Sequence, residues 1–503
     1  MGAMSLARVF SRAGVGVTAP EVTVEVHVGG GLPRMSMVGL AETAVRESKD
    51  RVKAALLNAG FKFPASHITI SLAPADLPKE GSRFDLPIAL GILAASAQVE
   101  DRQFEDYEFI GELSLGGGLN PVKGVLPVAV QAHRAGRGLI VPTANGPEAA
   151  ISGGQRQYCA GSLLAVVAWL HGRQALPGTS LTEAGPPHSG KDLRDVYGQQ
   201  RARRALEIAA AGGHNLLFTG PPGTGKTMLA SRLPGILPPM SEQEALDTAA
   251  VASISQVGLN INRWRTRSFR APHHTASSAA LVGGGSKPRP GEISLAHHGV
   301  LFLDELPEFN RDVLEVLREP MESGRIIISR AASYAEFPAR FQLVAAMNPC
   351  PCGYHGDNSG RCLCTSDQVQ RYRSKISGPL LDRIDLHVEV ARPSHIPYNG
   401  RGMEPENSDA VRQRVITARQ LQLDRAGMPN AHLDMAGVRL YCKPARQIQK
   451  ILEEAAELMK LSPRACQRIL KVARTLADLD NLDVIRKSHL AEALAYRGVD
   501  CGA

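Results

Sequence analysis

Hydrophobic and polar positions alternate along the first 170 residues in short segments that are typical of a mixed α/β domain. β-Branched segments with a period of two predict strands at Glu21–Val28 and His67–Leu72. Alanine-rich segments with helical spacing predict helices at Ala41–Ala59 and Leu86–Ala97. Strands and helices are therefore both expected in this first domain.

A different pattern begins near Val196, where continuous apolar segments stand between amphipathic ones. A helix is predicted over Arg201–Ala211, and buried strands are predicted at Asn215–Thr219, Gly299–Glu305 and Phe341–Met347. Strands that are apolar on both faces are typical of a parallel sheet covered by helices. From Asp409 onward the pattern is helical and includes no convincing strand. The fold class is therefore α/β.

Segments rich in Gly, Pro and polar residues separate these patterns and define the domain boundaries. We assign an N-terminal domain to 1–172, a linker to 173–195, an α/β domain to 196–392, a second linker to 393–408 and a helical domain to 409–503.

Composition places the chain among ordinary soluble globular proteins. Its 503 residues are 44% hydrophobic and 21% charged, and no run of 18 apolar residues is present, so we expect no membrane span. No secretory signal is visible at the N-terminus, and we therefore expect a cytoplasmic protein. The net charge of +8 is compatible with a polyanionic partner.

A glycine-rich loop between the predicted strand at 215–219 and a helix has the P-loop pattern. Its sequence is GPPGTGKT, and its residues are Gly220, Pro221, Pro222, Gly223, Thr224, Gly225, Lys226 and Thr227. Glycines let backbone N–H groups approach phosphates, and the helix N-terminus favours negative charge. Lys226 is expected to reach the β- and γ-phosphates of ATP, and Thr227 to bind Mg²⁺.

Polar residues end the next two apolar strands. Asp304 and Glu305 close the strand at 299–305, where Asp304 would hold Mg²⁺ through water and Glu305 would polarise the attacking water. Asn348 follows the strand at 341–347 and would orient that water. Ordinary solvation of a strand end, or the capping of a turn, is the alternative explanation for these residues.

Two arginines are candidates for contact with the phosphates. Arg383 stands between acids in the segment LLDRIDL, and a guanidinium suits the charge that spreads in a phosphoryl-transfer transition state. A surface salt bridge is the alternative role. Arg464 follows Ser462 and Pro463 at the start of a predicted helix, with Arg468, Lys471 and Arg474 as competing candidates.

Four of the eight cysteines crowd into 15 residues. Cys350, Cys352, Cys362 and Cys364 supply the ligand number of a structural zinc site, with His355 as a fallback ligand. Reduced cysteines without metal and a redox switch are the alternatives. A metal here would brace the loop after Asn348 or project toward DNA.

A hairpin is predicted over Arg325–Phe337, with Arg330 and Tyr334 flanking its tip. Arginine can contact backbone phosphates and tyrosine can stack on a base, so both are candidate DNA contacts. Packing of the hairpin or a subunit contact is the alternative. Its base is predicted to pair Ile326–Ser329 with Arg340–Val344. A basic segment at 436–476, with nine Lys/Arg and three Asp/Glu, is a further candidate or merely a solvated helical face.

Four longer segments carry a resemblance to a known family. They are FRAPHHTASSAALVGGG at Phe269–Gly285, LREPMESGRIIISRA at Leu317–Ala331, PARFQLVAAMNPCPCG at Pro338–Gly353 and ARTLADLD at Ala473–Asp480. The chain resembles the magnesium-chelatase-like branch of AAA+ ATPases over nearly its whole length and, within that branch, the ComM/YifB family.

This resemblance implies catalytic roles for Glu305, Asn348 (sensor 1), Arg383 (a finger donated to a neighbouring subunit) and Arg464 (sensor 2). It implies an insertion near Phe269–Ser294, a hairpin before sensor 1 and a homo-hexamer with a helical lid. The implied activity is ATP-dependent translocation on single-stranded or branched DNA. Such helicases promote branch migration in homologous recombination during natural transformation, alongside other recombination proteins.

The N-terminal domain resembles the proteolytic domain of Lon-type proteases, which implies an α+β fold for 1–172. The segment GELSLGGGLNPVKGVLPVAVQAHRAG at Gly111–Gly136 aligns without a gap. On that alignment Leu126 occupies the position of the catalytic lysine and Arg83 that of the serine, while the adjacent Ser82 has no aligned lysine to activate it. We therefore expect a degenerate domain with a structural or partner-binding role.

Two other function classes remain open. One is a protein-remodelling ATPase of the magnesium-chelatase-motor type that does not translocate DNA. The other is an ATP-dependent protease, which Arg83 and Leu126 disfavour. Salt-sensitive binding of the ATP-loaded protein to forked DNA separates DNA translocation from both.

Overall fold

A computed structural model describes the chain over most of its length. The described residues are 5–39, 43–79, 81–181, 190–285, 288–330, 333–357, 360–392 and 405–497. The chain forms two compact units. Unit 1 contains Met1–Pro186, Ala245–Trp264 and Ser329–Phe337, and unit 2 contains Pro187–Glu244, Arg265–Ile328 and Pro338–Ala503.

Unit 1 is built around a mixed sheet of seven strands. Its main elements are β1 (Ser5–Arg12), β2 (Glu21–Gly29), β3 (Arg34–Val38), α1 (Thr43–Asn58), β4 (His67–Ala73), α2 (Asp85–Ala95), β5 (Tyr107–Phe109), β6 (Glu112–Leu113), β7 (Leu119–Asn120), α3 (Val125–Arg134), β8 (Gly138–Pro142), α4 (Gly146–Ala150), β9 (Gln157–Ala160) and α5 (Leu163–Leu170). The strand order in the sheet is β3-β4-β2-β1-β5-β8-β9. The predicted strands at 21–28 and 67–72 and the helices at 41–59 and 86–97 are confirmed within one or two residues at most ends.

The alternating pattern of β2 explains how this sheet is covered. Val22, Val24 and Val26 are fully buried, whereas the residues between them are only partly buried. Every second side chain of a strand points to the same face, so β2 presents an apolar face to the core. Helix α2 is buried along nearly its whole length because almost all of its residues are apolar.

The middle of the chain alternates helices with short buried strands. Its elements are α6 (Gln200–Gly212), β10 (Leu216–Thr219), α7 (Lys226–Ala230), α8 (Leu233–Ile236), α9 (Glu242–Ile254), β11 (Phe269–Arg270), α10 (Ser278–Val282), β12 (Gly283–Gly284), β13 (Arg289–Pro290), α11 (Glu292–Leu295), β14 (Val300–Leu303), α12 (Arg311–Glu315), α13 (Arg318–Ser323), β15 (Arg325–Arg330), β16 (Ser333–Pro338), β17 (Gln342–Met347), α14 (Ser366–Arg373), α15 (Gly378–Leu381) and β18 (Leu386–Glu389).

Five of these strands form a parallel sheet in the order β11-β14-β17-β10-β18. Strands β10, β14 and β17 are buried at every position, as their continuous apolar sequences predict. The carboxyl ends of parallel strands lie along one edge of the sheet, which we call the carboxyl edge. The segments after β10, β14 and β17 therefore meet there, and they carry the predicted nucleotide-binding residues.

A small ribbon interrupts the helical segment between β11 and β14. Strands β12 and β13 pair antiparallel between α10 and α11, in the region where an insertion was expected. Glycine is required at the close crossing of these chains. A Cβ on Gly283, whose φ is +99°, would lie 2.1 Å from the Arg289 carbonyl oxygen, and one on Gly291 would lie 2.3 Å from that of Leu281.

The predicted pairing at the base of the hairpin is wrong. Strands β15 and β16 form their own two-stranded sheet, whereas β17 pairs with β14 and β10 in the central sheet. The segment at 340–344 is therefore unavailable to Ile326–Ser329. A strand that is apolar at five of its six positions, as β17 is, gains more from burial on both faces of the sheet than from pairing in an exposed ribbon.

From Ser408 onward, the described chain folds into five α-helices and a short 3₁₀ helix at Asn430–His432, with no strand, as predicted. The α-helices are α16 (Ser408–Ala426), α17 (Met435–Tyr441), α18 (Arg446–Leu458), α19 (Pro463–Leu479) and α20 (Lys487–Ala495). Their buried side chains belong to the same hydrophobic cluster as those of α6, β10 and β18. We call the helices α16–α20 the lid. The lid and the central sheet therefore share one core within unit 2. Among the described helices, none has the length and apolar character that crossing a bilayer requires.

Candidate nucleotide site

The loop between β10 and α7 runs very close to the end of β18. A Cβ on Gly220 would lie 2.2 Å from the Val390 carbonyl oxygen, so only glycine fits there. Gly223 and Gly225 have φ angles of +78° and +91°, which favour glycine over other residues. The glycines of the motif thus form a tight turn that leads into the N-terminus of α7, where phosphates bind in P-loop proteins.

Lys226 folds its side chain over this loop. Its Nζ donates hydrogen bonds to the carbonyl oxygens of Gly220 (2.6 Å) and Pro221 (2.9 Å) and to Asn348 Oδ1 (3.1 Å). Burial lowers the pKa of the ammonium, and the negative charges of Asp304 and Glu305 oppose that effect. These hydrogen-bond acceptors are uncharged, so the ammonium charge is poorly neutralised here. Such a group favours an anionic ligand.

Thr227 and Asp304 bring two metal-ligand oxygens together. Thr227 Oγ1 donates to Asp304 Oδ2 at 2.6 Å, and Asp304 Oδ1 accepts from the Glu305 N–H at 2.9 Å. Octahedral Mg²⁺ takes oxygens at about 2.0–2.1 Å, which places adjacent ligands roughly 2.9 Å apart. A hydroxyl and a carboxylate at this separation fit such an ion with only a small adjustment.

Glu305 directly follows Asp304 and begins a short turn. Its φ is +53°, a left-handed backbone conformation that residues other than glycine rarely adopt. The carboxylate is about half exposed, and Oε2 lies 3.2 Å from His274 Nδ1. His274 comes from the segment after β11 and is absent from the residues that the sequence indicated. The tandem histidines of the sequence APHHT were the available signal.

Asn348 follows β17, which lies between β14 and β10 in the sheet. Its amide oxygen accepts from Lys226, so Asn348 and the glycine-rich loop are joined directly. A Cβ on Gly353, whose φ is +85°, would lie 2.7 Å from Pro222 Cδ. The segment after Asn348 therefore packs against the phosphate loop. The carboxyl edge brings Lys226, Thr227, Asp304 and Asn348 together as expected.

Arg383 does not join this cluster within the chain. It lies three residues before β18, whose first residue Leu386 pairs with Leu216 at the start of β10, whereas the phosphate loop follows the end of β10. Arg383 is therefore at the opposite edge of the sheet. It is 8% exposed, donates to the Pro379 carbonyl oxygen at 2.7 Å and forms an ion pair with Glu322.

Arg464 lies in the first turn of α19, after the capping residue Ser462. It is exposed and has no hydrogen bond or ion pair with the residues that the structure describes. The three other candidate cations, Arg468, Lys471 and Arg474, already donate hydrogen bonds to groups of their own chain. Arg468 donates to Asp385 Oδ1 (2.6 Å), Lys471 to the Ala431 carbonyl oxygen (3.0 Å) and Arg474 to Asp478 (3.1 Å).

Asp385 connects the lid to the base of the sheet. Burial alone would raise the pKa of its carboxyl, but hydrogen bonds from His214 and Arg468 hold that pKa well below its ordinary value. His214 also contacts Thr475 of α19 at 2.8 Å, and Arg468 donates to the Arg383 carbonyl oxygen at 3.2 Å. The segment that carries Arg383 is thus tied to the lid helix.

The four cysteines of the predicted metal site converge. All their sulfur atoms lie within 4.8 Å of one another, and three of the distances are 3.3, 3.7 and 3.9 Å. A zinc ion about 2.3 Å from each of four sulfurs would hold them about 3.8 Å apart, so these thiols fit tetrahedral zinc. The backbone N–H of Tyr354 lowers the pKa of the Cys352 thiol to about 6. His355 is exposed and is not part of the cluster.

Arg330 and Tyr334 lie at facing ends of the hairpin strands. Arg330 ends β15 and Tyr334 is the second residue of β16. Their side chains lie outside the described part of the structure, as do residues 331 and 332 between the strands. Their contact with DNA therefore stays a prediction.

The region that aligns with the protease active site contains no serine–lysine pair among the described residues. Leu126 is fully buried in α3, and the Arg83 guanidinium donates to the Lys123 carbonyl oxygen at 2.8 Å. The Ser82 hydroxyl is engaged with the carboxylate of Glu112.

Comparison with known families matches three successive parts of the chain to models of one protein. Residues 192–396 match the magnesium chelatase subunit ChlI, residues 24–145 match a further model of the ChlI subunit, and residues 405–497 match the ChlI C-terminal model.

Full-length relatives show the same family. The chain is 52% identical to the competence protein ComM of Haemophilus influenzae over 99% of this chain and 98% of that protein. It is 50% identical to the protein YifB of Salmonella typhimurium, again over 99% and 98%. It is 25% identical to the magnesium-chelatase 38 kDa subunit of Rhodobacter capsulatus over 63% of this chain and 93% of that subunit.

Proposed function

Because the chain belongs to the ComM/YifB family of magnesium-chelatase-like AAA+ proteins, we propose that it is a hexameric ATPase that translocates on DNA. The observation that carries the ATPase part is the cluster at the carboxyl edge. There Thr227 is hydrogen-bonded to Asp304, and Lys226 donates a hydrogen bond to Asn348. These residues lie around one phosphate-binding turn. We propose ATP as the substrate and Mg²⁺ as the metal.

Each residue of the cluster has a distinct chemical role in this proposal. Lys226 holds the β- and γ-phosphates, while Thr227 and Asp304 hold the magnesium ion. When bound, Mg²⁺ neutralises charge on the phosphate oxygens. Glu305 accepts a proton from the attacking water, and Asn348 orients that water beside the γ-phosphate.

We propose that each active site is shared between subunits. Arg383 lies at the edge of the sheet away from the phosphate loop of its own chain, which supports its donation to a neighbour. Such a guanidinium stabilises the charge of the transition state. Arg464, exposed at the start of the lid helix α19, is proposed to contact phosphates as well.

DNA translocation is the more specific part of the proposal. It is supported by the identity to a relative named for competence and by the net charge of +8. We propose single-stranded or branched DNA as the partner, and branch migration during natural transformation as the process. The work would take place in the cytoplasm together with recombination proteins.

Binding of the ATP-loaded protein to a forked duplex tests this proposal. We expect Glu305→Gln protein with ATP to bind labelled forked DNA, with affinity that falls steeply as salt rises, because phosphate contacts release counterions. The same protein without ATP is the control. Binding that is absent at low salt would contradict DNA translocation and leave the ATPase assignment intact.

A protein-remodelling motor is the second candidate. The 25% identity to the magnesium-chelatase 38 kDa subunit over 93% of that subunit favours it. Such a motor would hydrolyse ATP without stimulation by DNA. DNA-independent turnover, together with absent fork binding, would support this candidate over the first.

We also propose that the four cysteines hold structural zinc. Their mutual distances fit the tetrahedral ion, and the site begins two residues after Asn348. For unit 1 we propose a structural or partner-binding role without proteolysis, because Leu126 and Arg83 replace the residues that the protease chemistry requires.

A further inference from the structure

His274 and Glu305 are brought together by the register of two parallel strands. Arg270, the last residue of β11, pairs with Leu301 of β14. His274 lies four residues beyond Arg270, and Glu305 lies four residues beyond Leu301. Both chains run in the same direction, so both residues emerge at equal depth on the carboxyl edge. The pairing of these strands thus determines that the two side chains meet.

The contact has a defined chemical direction. His274 Nδ1 lies 3.2 Å from Glu305 Oε2. An ionised carboxylate can only accept a hydrogen bond, so Nδ1 carries the proton. The bond engages one carboxylate oxygen, and Oε1 is the oxygen that can take a proton from water. A donor on one oxygen therefore orients the carboxylate without occupying its reactive atom.

Neighbouring groups hold the imidazole in place. The ring of His274 lies edge-on to the buried Phe309, with 6.5 Å between ring centres, and 4.1 Å from the ring centre of His273. His273 Nδ1 contacts Thr275 Oγ1 at 2.9 Å. The backbone of Glu305 is fixed by its own N–H, which donates to Asp304. The imidazole and the backbone of Glu305 are therefore held independently of the contact, and the Glu305 carboxylate is the part that His274 orients.

We propose that His274 is a positioning residue for the general base Glu305. Its Nδ1–H fixes the carboxylate so that Oε1 faces the water that attacks the γ-phosphate. In that step the water oxygen bonds to phosphorus, the bond to the β-phosphate bridging oxygen breaks, and the water proton moves to Oε1. This inference rests on the proposed function, because it requires Glu305 to act as the base.

Steady-state ATPase kinetics of three variants test the role. We expect His274→Ala to lower kcat about 10- to 100-fold, the range expected for a lost hydrogen bond to a charged group, and to leave KM for ATP unchanged. His274→Asn places an amide N–H where Nδ1 stands and should restore most of kcat. His133→Ala, which removes an exposed imidazole from the last turn of helix α3, is the control histidine substitution and should keep wild-type kcat.

The Glu305→Gln variant distinguishes the positioning role of His274 from the role of Glu305 as the general base. In Glu305→Gln protein, adding His274→Ala should change neither the residual kcat nor the affinity for a fluorescent ATP analogue. If Glu305→Gln abolishes turnover while His274→Ala keeps or raises kcat, the positioning role is overturned and the base stands. If Glu305→Gln itself turns over normally, the base assignment fails.

Folding controls complete the design. The melting temperatures of the variants should match that of the wild type, because His274 and Glu305 are both partly exposed. If His274→Ala melts early, His274→Asn remains the deciding variant. A folded His274→Asn protein with the low kcat of His274→Ala would overturn the role of the Nδ1 proton.

Discussion

At the scale of single residues, Lys226 and Asp304 differ in what their charges contact. The Lys226 ammonium bonds only uncharged oxygens, whereas the Asp304 carboxylate accepts from Thr227 and from the backbone of Glu305. The lysine is therefore the group whose charge most needs a ligand. The aspartate is already oriented, and the Glu305 carboxylate beside it contacts His274.

This difference predicts separate defects for two substitutions. Lys226→Ala should weaken ATP binding about 10- to 100-fold, because a charged hydrogen bond to phosphate is lost. Glu305→Gln should keep binding and lower kcat about 10²- to 10⁴-fold, the usual contribution of a general base. Calorimetric ATP affinity beside ATPase turnover is the measurement. Normal turnover by Glu305→Gln would contradict the catalytic assignment.

The sequence was a good guide to residues whose roles depend on local motifs and a poor guide to long-range partners. Lys226, Thr227 and Asp304 belong to short motifs whose context of strand, turn and helix is readable along the chain. His274 escaped notice because its contact with Glu305 depends on the register between two strands. The Glu322 partner of Arg383 depends in the same way on tertiary packing.

At the scale of elements, the cysteine loop is the connection that most affects the site. It starts two residues after Asn348, and its Gly353 packs against Pro222 of the phosphate loop. A metal that draws the four sulfurs together would therefore fix two parts of the nucleotide site at once. Loss of the metal should loosen both.

We expect about one zinc ion per chain in protein purified without added metal. Cys362→Ser with Cys364→Ser should abolish that metal content, lower the melting temperature and weaken ATP binding, because Asn348 and Pro222 lose their support. Elemental analysis and thiol titration measure the first effect. Cys442→Ser, a substitution of a buried cysteine far from the cluster in sequence, is the control for metal content. Four freely titratable thiols and no metal would disprove the site.

Substitutions at the tip of the hairpin of β15 and β16 should impair the movement of DNA without impairing basal ATP hydrolysis. Arg330→Ala with Tyr334→Ala should keep basal ATPase and hexamer formation but lose DNA-stimulated ATPase and strand displacement. A ring repeats each contact in every subunit, so the loss is multiplied. Unwinding of a fluorescent forked duplex at fixed salt is the measurement. Full unwinding would move the DNA contact to the basic helices after Ala436.

Element positions were predicted more reliably than element partners. The strands β10, β14 and β17 and the start of helix α19 were located within one or two residues, because their apolar periodicity and capping residues are local signals. The partner of β15 was wrong. The apolar sequence of β15 is compatible with several partner strands. Burial between β14 and β10 stabilises β17 in the central sheet, so β17 does not pair with β15.

At the scale of the whole molecule, the placement of Arg383 is the observation behind the proposed sharing of the active site between subunits. Arg383 and the phosphate loop lie at opposite edges of one sheet, so one chain cannot bring them together. Its ion pair with Glu322 holds the buried side chain within its own chain. A neighbouring nucleotide would have to compete with that carboxylate.

Mixed assemblies test this arrangement. Arg383→Ala and Lys226→Ala proteins should each be inactive alone, and their mixture should recover ATPase. Random mixing leaves about a quarter of the interfaces with both groups intact, which sets the recovery expected. Co-assembly is checked by two-colour labelling, and mixing two Lys226→Ala preparations is the control. No recovery in confirmed mixed rings would exclude a shared site.

The core that continues from the central sheet into the lid has a consequence for how unit 2 unfolds. Residues of α6 and β18 are buried in one cluster with residues of α16 and α19, so neither part can open without exposing the other. We expect amide hydrogens of β10 and α19 to exchange through the same global opening, with equal free energies. A chain ending at residue 404 should expose that core and aggregate. Separate exchange free energies for the two parts would show that the lid unfolds on its own.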